Sequence, residues 1–184
     1  MSLDFKDKVA IVTGSGGGIG KGYALELARR GAKVVVNDLG GSVDGTGNSA
    51  NAAQMVVDEI LGEGGEAISN GANVSDELQV QEMVETTLNK WGRRDILINN
   101  AGILRDKSFA KMEWSDFVAV VNVHLLGSAL CSHKVFPIMK EQEYGRIIMT
   151  SSSSGLFRNF GQTNYGAAKT VSYTHLTLPT NACV

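Results

Sequence analysis

Near the end of the chain a tyrosine and a lysine stand four residues apart, as Tyr165 and Lys169. In a helix this spacing places both side chains on the same face. A neighbouring ammonium stabilises a phenolate, so a tyrosine in such a pair can take a proton from, or return one to, a hydroxyl or carbonyl oxygen. The same spacing also arises in ordinary surface contacts, so catalysis is indicated only if other features accompany the pair.

Four consecutive serines, residues 151–154, follow the apolar segment 146–150, which is typical of a β-strand. The carboxyl ends of strands in an open α/β sheet face the crevice in which ligands bind. A serine hydroxyl at this position could therefore polarise the same substrate oxygen that Tyr165 would serve. The chemistry of the four side chains alone does not distinguish between them.

The segment from Thr13 to Gly20 reads Thr-Gly-Ser-Gly-Gly-Gly-Ile-Gly and connects a strand-like run to a helix-like run. Glycines let a backbone turn tightly and approach a ligand, and the start of a helix offers free N–H groups and the positive end of a dipole. Together these features predict a site for the pyrophosphate of a dinucleotide. The alternative is a tight turn that binds no ligand.

Asp38 ends the second strand-like run, near the distance from the glycines at which a carboxylate meets an adenosine ribose. A carboxylate there accepts hydrogen bonds from the ribose hydroxyls and repels a 2′-phosphate. Leu39 follows it, and neither arginine nor lysine stands there to bind such a phosphate. The pattern favours NAD over NADP, and its alternative is an exposed aspartate in a turn.

Short apolar segments alternate with amphipathic ones along the chain, which predicts strands that alternate with helices. The predicted strands cover residues 9–12, 33–37, 66–69, 95–98 and 146–150, and the predicted helices cover residues 21–30, 49–61, 76–91 and 114–140. The strands are too apolar to have one face in water, so helices are expected on both faces of a parallel sheet. The sequence therefore indicates one α/β domain with a doubly wound parallel sheet in three layers.

The composition excludes several classes of protein. The 184 residues carry a formal net charge of −2, so no surplus of positive charge would attract nucleic acid or an anionic membrane. Two cysteines cannot form a disulfide framework, and no cluster of cysteine and histidine indicates a metal site. There is no apolar leader and no uninterrupted apolar run of ~18 residues, so we expect a cytoplasmic protein.

The motifs together resemble the short-chain dehydrogenase/reductase family over about residues 5–169. The family pattern T-G-x-x-x-G-x-G corresponds to Thr13, Gly14, Gly18 and Gly20, N-N-A-G to residues 99–102, and Y-x-x-x-K to Tyr165 and Lys169. The resemblance implies a Rossmann-type fold and an oxidoreductase that binds a nicotinamide cofactor.

The resemblance also implies roles for individual residues. The family's serine lies thirteen residues before its tyrosine, which selects Ser152, and its helix asparagine, which holds a proton-relay water, corresponds to Asn122. Asn73 and Val74 stand where the family often has Asp-Val near the adenine. The implied cofactor contacts are Gly14, Ser15, Gly18, Ile19, Gly20, Asp38, Leu39, Asn73, Val74, Asn100, Ala101, Gly102, Tyr165 and Lys169.

A closer similarity covers residues 36–41, 102–109 and 144–152. These segments resemble the dehydrogenase domains of the multifunctional enzymes of fatty-acid β-oxidation, and their stand-alone bacterial relatives, which oxidise (3R)-hydroxyacyl-CoA with NAD. The resemblance implies homodimers or homotetramers that associate through the long helices beginning near Trp114 and Gln162. A peroxisomal location is expected only for a longer eukaryotic parent, because the chain carries no C-terminal peroxisomal signal.

The chain departs from the family pattern after Lys169, so we predict an incomplete domain over residues 1–169 and an unrelated tail over residues 170–184, without the family's last strands. In the tail, Tyr173, His175 and several threonines alternate with apolar residues in a strand-like way, and Pro179 would end a helix. Either the chain is shortened and ends in a foreign segment, or it is a variant that closes the sheet differently. Both cases predict weak or absent turnover and an exposed sheet edge that promotes aggregation.

Two other functions compete with an NAD-dependent hydroxyacyl-CoA dehydrogenase. The first is a reductase of 3-oxoacyl thioesters on a carrier protein, which would usually prefer NADPH. The second is a catalytically silent nucleotide-binding protein. The remaining candidate residues are interpreted as structural: His124 and His133 as packing or surface residues, Cys131 as a small buried residue, and His175 and Cys183 as parts of the tail.

Overall fold

Five short parallel strands form the centre of the computed structural model, which describes residues 4–46 and 51–174. In chain order they are β1 (Val9–Thr13), β2 (Lys33–Asn37), β3 (Glu66–Asn70), β4 (Ile96–Asn99) and β5 (Arg146–Met149). Their order across the sheet is β3-β2-β1-β4-β5, and every neighbouring pair is parallel. The strand order reverses between β1 and β4, so a ligand crevice is expected where the carboxyl ends of these two strands meet.

Seven helices are described, together with one 3₁₀ turn at Phe109–Lys111. They are α1 (Gly18–Arg29), α2 (Asn51–Gly62), α3 (Glu77–Trp91), α4 (Trp114–Val121), α5 (Ser128–Glu141), α6 (Ser153–Phe157) and α7 (Thr163–Thr174). The predicted boundaries are correct to within one or two residues for most elements, although Ser49, the predicted start of the second helix, lies outside the described residues.

Side chains on the two faces of the sheet form two separate hydrophobic cores. In the first core, Val12 and Val36 pack with apolar residues of α1 and α2. In the second core, Ile11 and Leu97 pack with apolar residues of α3 and α5. Because alternate residues of a strand point to opposite faces, a strand buried on both faces must be apolar throughout. The predicted three-layer α/β fold is confirmed.

Local signals explain where α1 and α3 begin and end. Asp76 precedes α3 and its carboxylate accepts hydrogen bonds from the N–H groups of Leu78 and Gln79. Gly31 and Gly92 follow α1 and α3 with φ angles of 90° and 72°. This left-handed conformation costs glycine little, which is why glycine so often ends a helix.

A π-helical turn, Asn122–Gly127, joins α4 to α5, so that the helix runs without a break from Trp114 to Glu141. By length and composition this 28-residue helix could cross a membrane. The same is true of many core helices, and here Val120, Cys131, Val135 and Met139 are buried against the rest of the domain. The helix is therefore weak support for a membrane span.

The strand-like interpretation of the residues after Lys169 is wrong as far as residue 174, because α7 continues to Thr174. Hydroxyl groups along the helix donate to carbonyl oxygens one turn earlier, as in Thr170 to Gly166 at 2.8 Å and Thr174 to Thr170 at 2.9 Å. These bonds offset the low helix propensity of the threonines. Residues 175–184, with His175, Pro179 and Cys183, lie outside the described residues.

The amino ends of the central strands are held together by a buried carboxylate. Asp95, just before β4, accepts a hydrogen bond of 2.9 Å from the backbone N–H of Val9 and two from the guanidinium of Arg93.

At one side of the sheet, β5 has a neighbouring strand on one flank only within the described residues, and Ile148 is 46% exposed there. The predicted exposed edge stays a prediction, because residues 175–184 lie outside the described residues.

Candidate active site

The glycine turn between β1 and α1 has a packed side and an open side. A Cβ atom on Gly14 would lie 2.7 Å from the Cα of Ala101, and one on Gly20 would overlap the carbonyl oxygen of Gly14. A Cβ atom on Gly17 or Gly18 would meet nothing within 4 Å. The closely packed glycines fix the turn against the end of β4, and the open ones leave the start of α1 accessible to an anionic ligand.

Thr13 and Asn100 join the glycine turn to the end of β4. The hydroxyl of Thr13 accepts hydrogen bonds of 3.0 Å from the backbone N–H groups of Asn100 and Ala101. The amide of Asn100 donates to the carbonyl oxygens of Thr13 and Gly14 at 3.0 and 2.9 Å. Asn100 and Ala101 therefore shape the turn, and their predicted contact with a cofactor stays a prediction.

Two residues of the turn, Ser15 and Ile19, have opposite environments. Ser15 is buried, with its hydroxyl donating to the carbonyl oxygen of Val12 at 2.7 Å and its N–H donating to that of Asn37 at 2.9 Å. Ile19, by contrast, is 66% exposed on the open side of the turn. The geometry gives Ser15 a structural position beneath the turn, and Ile19 a position in which it can contact a ligand.

Asp38 lies beside the glycine turn at the carboxyl end of β2. One oxygen of its carboxylate accepts a hydrogen bond of 2.8 Å from the N–H of Gly16, and the other accepts one of 2.7 Å from the N–H of Gly40. Each carboxylate oxygen has a second lone pair with which it can accept a ribose hydroxyl. Leu39, the next residue, is exposed.

The Asn73–Val74 pair, predicted to lie near an adenine, makes contacts of another kind. Asn73 accepts a hydrogen bond of 3.0 Å from the N–H of Ser75 through its side chain, which forms the turn before α3. The side chain of Val74 is buried in the second core, close to Gly127. These contacts show how the pair is held, and its role toward a cofactor stays a prediction.

Tyr165 and Lys169 share one face of α7, as their spacing predicts. The Lys169 side chain is 4% exposed, and its ammonium donates a hydrogen bond of 2.6 Å to the carbonyl oxygen of Thr150, just after β5. The ammonium lies 5.8 Å from the centre of the Tyr165 ring. Burial lowers the pKa of Lys169 to about 8, so the side chain remains mainly protonated at neutral pH.

The four serines after β5 occupy different environments. Ser152 precedes α6 and its hydroxyl oxygen accepts a bond of 3.2 Å from the N–H of Ser154, which leaves its own proton free to be donated. Ser154 donates to the side chain of Gln162 at 2.8 Å, and Ser153 is exposed. The hydroxyl of Ser151 is buried and has no partner among the described residues.

Asn122 and His124 both belong to the π-helical turn. Asn122 is half-buried, whereas His124 is buried, with its ring edge-on to the Tyr165 ring at a centre-to-centre distance of 4.9 Å. Burial and the charge of Lys169 lower the pKa of His124 to about 4. No sequence signal distinguished His124 from His133, which is exposed on the same helix.

Tyr165 also depends on a contact between two loops that sequence reasoning did not predict. Three hydrogen bonds join the segment after β4 to the first turn of α7 and the loop before it. These run from the N–H of Lys107 to the carbonyl oxygen of Gly161 at 3.0 Å, from the Asn164 amide to the carbonyl oxygen of Arg105 at 3.2 Å, and from the Gln162 amide to Asp106 at 2.7 Å. They hold the start of α7 beside the carboxyl end of β4.

Comparison with known proteins relates this geometry to one family. The sequence model described as "short chain dehydrogenase" matches residues 8–177, which is most of the chain. Peroxisomal multifunctional enzyme A of Dictyostelium discoideum is 56% identical over 169 residues, which cover 92% of this chain and 38% of that protein. The chain thus spans less than two thirds of that relative's length.

Two further proteins extend the comparison. A 3-oxoacyl-[acyl-carrier-protein] reductase of Synechocystis is 46% identical over 162 residues, covering 88% of this chain and 62% of that protein. A solved 7α-hydroxysteroid dehydrogenase in complex with NADH and 7-oxo glycochenodeoxycholic acid superimposes with a TM-score of 0.83 at 32% identity, over 92% of this chain and 62% of that one.

Proposed function

The chain belongs to the short-chain dehydrogenase family, whose members are oxidoreductases acting on CH–OH groups with a nicotinamide cofactor, and we propose that it oxidises a 3-hydroxyacyl thioester with NAD. The observation that carries the proposal is the position of Tyr165. Its ring lies on the same face of α7 as the buried ammonium of Lys169, beside the carboxyl ends of β4 and β5. A phenol held there can exchange a proton with a substrate in the crevice.

The residues of the glycine turn fit a nicotinamide dinucleotide. The open side of the turn, at Gly17 and Gly18, leaves room for a pyrophosphate at the start of α1, and Asp38 offers acceptors for the adenosine ribose. The negative charge of Asp38 disfavours a 2′-phosphate, which is the reason for proposing NAD. When bound, this cofactor supplies the carbon that accepts the hydride.

The chain's own residues would move the proton. Tyr165, as phenolate, would take the proton of the substrate hydroxyl while the substrate carbon that bears this hydroxyl gives up a hydride to the bound cofactor, so that a carbonyl group remains. Lys169 stays protonated and stabilises the phenolate, because two opposite charges attract strongly where water is excluded. Ser152 donates a hydrogen bond to the developing carbonyl oxygen, and Asn122 holds the water through which the proton leaves.

The acyl-CoA substrate is supported by the similarity of residues 102–109 and 144–152 to β-oxidation dehydrogenases, and by the identity to the Dictyostelium multifunctional enzyme. The similarity to the Synechocystis reductase favours the alternative of a 3-oxoacyl reductase acting on a carrier protein. Asp38 is the feature that argues against this alternative, if that reductase activity requires NADPH. The third function, nucleotide binding without turnover, would keep the glycine turn but lose the proton transfer.

Association and location follow from the same resemblance. We propose a homodimer or homotetramer formed through the long helix, on which Trp114, Leu126 and Phe136 expose apolar side chains. A cytoplasmic location is proposed for the chain by itself, and a peroxisomal one for a longer eukaryotic parent.

The test is turnover of a 3-hydroxyacyl-CoA with NAD by the wild-type chain and by Tyr165→Phe. Loss of the phenol oxygen removes the proton acceptor, so turnover should fall by roughly 10²- to 10⁴-fold. Tyr23→Phe is the matched control, because Tyr23 is exposed on α1, and it should leave turnover unchanged.

Turnover retained in Tyr165→Phe would contradict the assignment of the proton acceptor. Turnover of 3-oxoacyl carrier protein with NADPH, in preference to the acyl-CoA with NAD, would support the reductase instead. Tight NADH binding without turnover of either substrate would support the silent nucleotide-binding protein.

A further inference from the structure

The side chain of His124 lies between Tyr165 and the segment that follows β4. It is 3% exposed, and its Nε2 atom lies 2.8 Å from the carbonyl oxygen and 3.0 Å from the backbone nitrogen of Ile103. The edge of its ring meets the Tyr165 ring at an interplanar angle of 87°. A single side chain thus contacts both the proposed proton acceptor and the backbone next to Gly102.

Gly102 explains why His124 cannot move without moving its surroundings. A Cβ atom at Gly102 would overlap the Cε1 atom of His124, so the backbone of this segment already lies directly against the ring. Gly102 is itself a predicted cofactor contact. A shift of the ring would therefore displace the backbone at Gly102 and Ile103 on one side and the Tyr165 ring on the other.

The charge state of His124 suits a role in positioning. Burial, together with the positive charge of Lys169, disfavours a second positive charge at this place, so the ring is neutral at neutral pH. The Nε2 atom accepts from the N–H of Ile103 at 3.0 Å or, when it carries the proton, donates to the carbonyl oxygen of Ile103 at 2.8 Å. The Nδ1 atom is buried without a partner among the described residues. The one strong directional contact of the ring is therefore the one to Ile103.

We propose that His124 is the positioning residue of Tyr165, fixing the ring of this proton acceptor relative to the Gly102–Ile103 segment. The proposal rests on the proposed function, because it concerns the same proton transfer. His124 acts through Tyr165 and takes no proton from the substrate. An edge-to-face aromatic contact limits the orientation of the Tyr165 ring, and the hydrogen bond to Ile103 fixes the His124 ring in turn.

Kinetics provide the first test, with His124→Leu, His124→Asn and His133→Leu. His124→Leu removes both the aromatic contact and the hydrogen bond, so kcat should fall by roughly 10- to 100-fold while KM for the acyl-CoA changes by less than about threefold, as expected when a reacting group is misplaced. His124→Asn keeps a polar group that can bond to Ile103 and should regain part of kcat. His133→Leu makes the same change at an exposed position of the same helix and should match the wild type.

A nuclear magnetic resonance experiment gives a second readout that needs no turnover. The chain has 4 tyrosines, so ring-labelled tyrosine gives few signals, and Tyr165→Phe assigns the one of interest. The edge-on ring of His124 should shift the Tyr165 signal, and His124→Leu should move that signal while His133→Leu leaves it in place.

The outcomes separate this inference from the proposed function. An unchanged Tyr165 signal in His124→Leu, or a shifted signal with an unchanged kcat, would overturn the inference. A wild-type chain that neither binds NADH nor turns over the acyl-CoA would overturn the proposed function, and the Tyr165 signal alone would then decide whether His124 positions that ring.

Discussion

The carboxylate of Asp38 stabilises the glycine turn and also lies where an adenosine ribose is expected. Its bonds to the N–H groups of Gly16 and Gly40 hold the backbone on both sides of the crevice. The proposed preference for NAD over NADP rests on the negative charge of this side chain, because the two cofactors differ by one phosphate. Under this proposal one side chain combines support of the turn with selection of the cofactor, and a substitution there should affect both.

Asp38→Ala should weaken NADH binding by about tenfold, which corresponds to ~1.4 kcal/mol, because both the ribose acceptor and the support of the turn are lost. NADPH binding should weaken less or improve, since the repulsion of the 2′-phosphate is removed. Fluorescence titration with each cofactor measures both effects. Asp58→Ala, an exposed aspartate on α2, is the control, and equal binding of NADH and NADPH by the wild type would contradict this role of Asp38.

The sequence could predict which residues lie close together when they are near each other along the chain. Tyr165 and Lys169 are four apart on one helix, and the structure brings them together at the strand ends. His124 could not be predicted in this way. Its contacts are with Ile103 and Tyr165, which lie 21 and 41 positions away along the chain, and only the folded arrangement brings these residues together.

At the scale of one element, two of the three glycines of α1 have opposite surroundings. Gly20 faces Gly14 and Asn100 so closely that no side chain fits, whereas a Cβ atom on Gly22, half a turn further along, would meet nothing within 4 Å. The helix therefore needs the first glycine for packing, while the second one only lowers its stability.

Gly20→Ala should lower the free energy of unfolding by about 1–3 kcal/mol and weaken NADH binding, because the new methyl group displaces the turn. Gly22→Ala should raise the free energy of unfolding by about 0.5–1 kcal/mol, because alanine loses less backbone entropy than glycine when a helix forms. Urea denaturation and NADH titration measure both effects. If both variants changed stability in the same direction, the packing argument would fail.

The helices and strands could be predicted where the pattern of apolar residues was clear. The prediction failed after Lys169, where residues that favour a strand are held in a helix by their contacts. Strands β1 and β2 are continuous apolar runs between turns, so their limits were clear from the residues alone. The residues after Lys169 are rich in β-branched side chains, which favoured a strand. Bonds from their hydroxyls to the preceding turn, and the packing of α7 on α4 and α6, maintain a helix instead.

For the molecule as a whole, one buried charge opposes folding. The Arg94 side chain is 1% exposed and donates to the carbonyl oxygen of Val84, but its Nε and Nη1 atoms have no partner among the described residues. Burial lowers its pKa to about 10. A guanidinium removed from water costs free energy that the nearby charge of Glu85 and the aliphatic stem of Arg94 recover only in part.

Arg94→Met should therefore raise the free energy of unfolding by about 1–3 kcal/mol, because it keeps an apolar stem and removes the charge. The neighbouring Arg93→Met should lower it, since Arg93 pairs with the buried carboxylate of Asp95. Thermal and urea denaturation of both variants measure the difference. A less stable Arg94→Met chain would mean that the guanidinium is better satisfied than its contacts with Val84 indicate.

The π-helical turn Asn122–Gly127 fixes the rotational phase of the long helix. Its hydrogen bonds span five residues where those of an α-helix span four, so it holds one residue more than an α-helical turn, and deleting one residue here can restore an α turn with α5 left in phase. Deleting one residue elsewhere, in α4, would instead rotate all that follows by about 100° around the helix axis. The face that buries Cys131 and Val135 would then turn away, and exposed His133 and Phe136 would move toward the sheet. The π-helical turn is therefore the place at which this helix can lose one residue while α5 keeps its interface with the sheet.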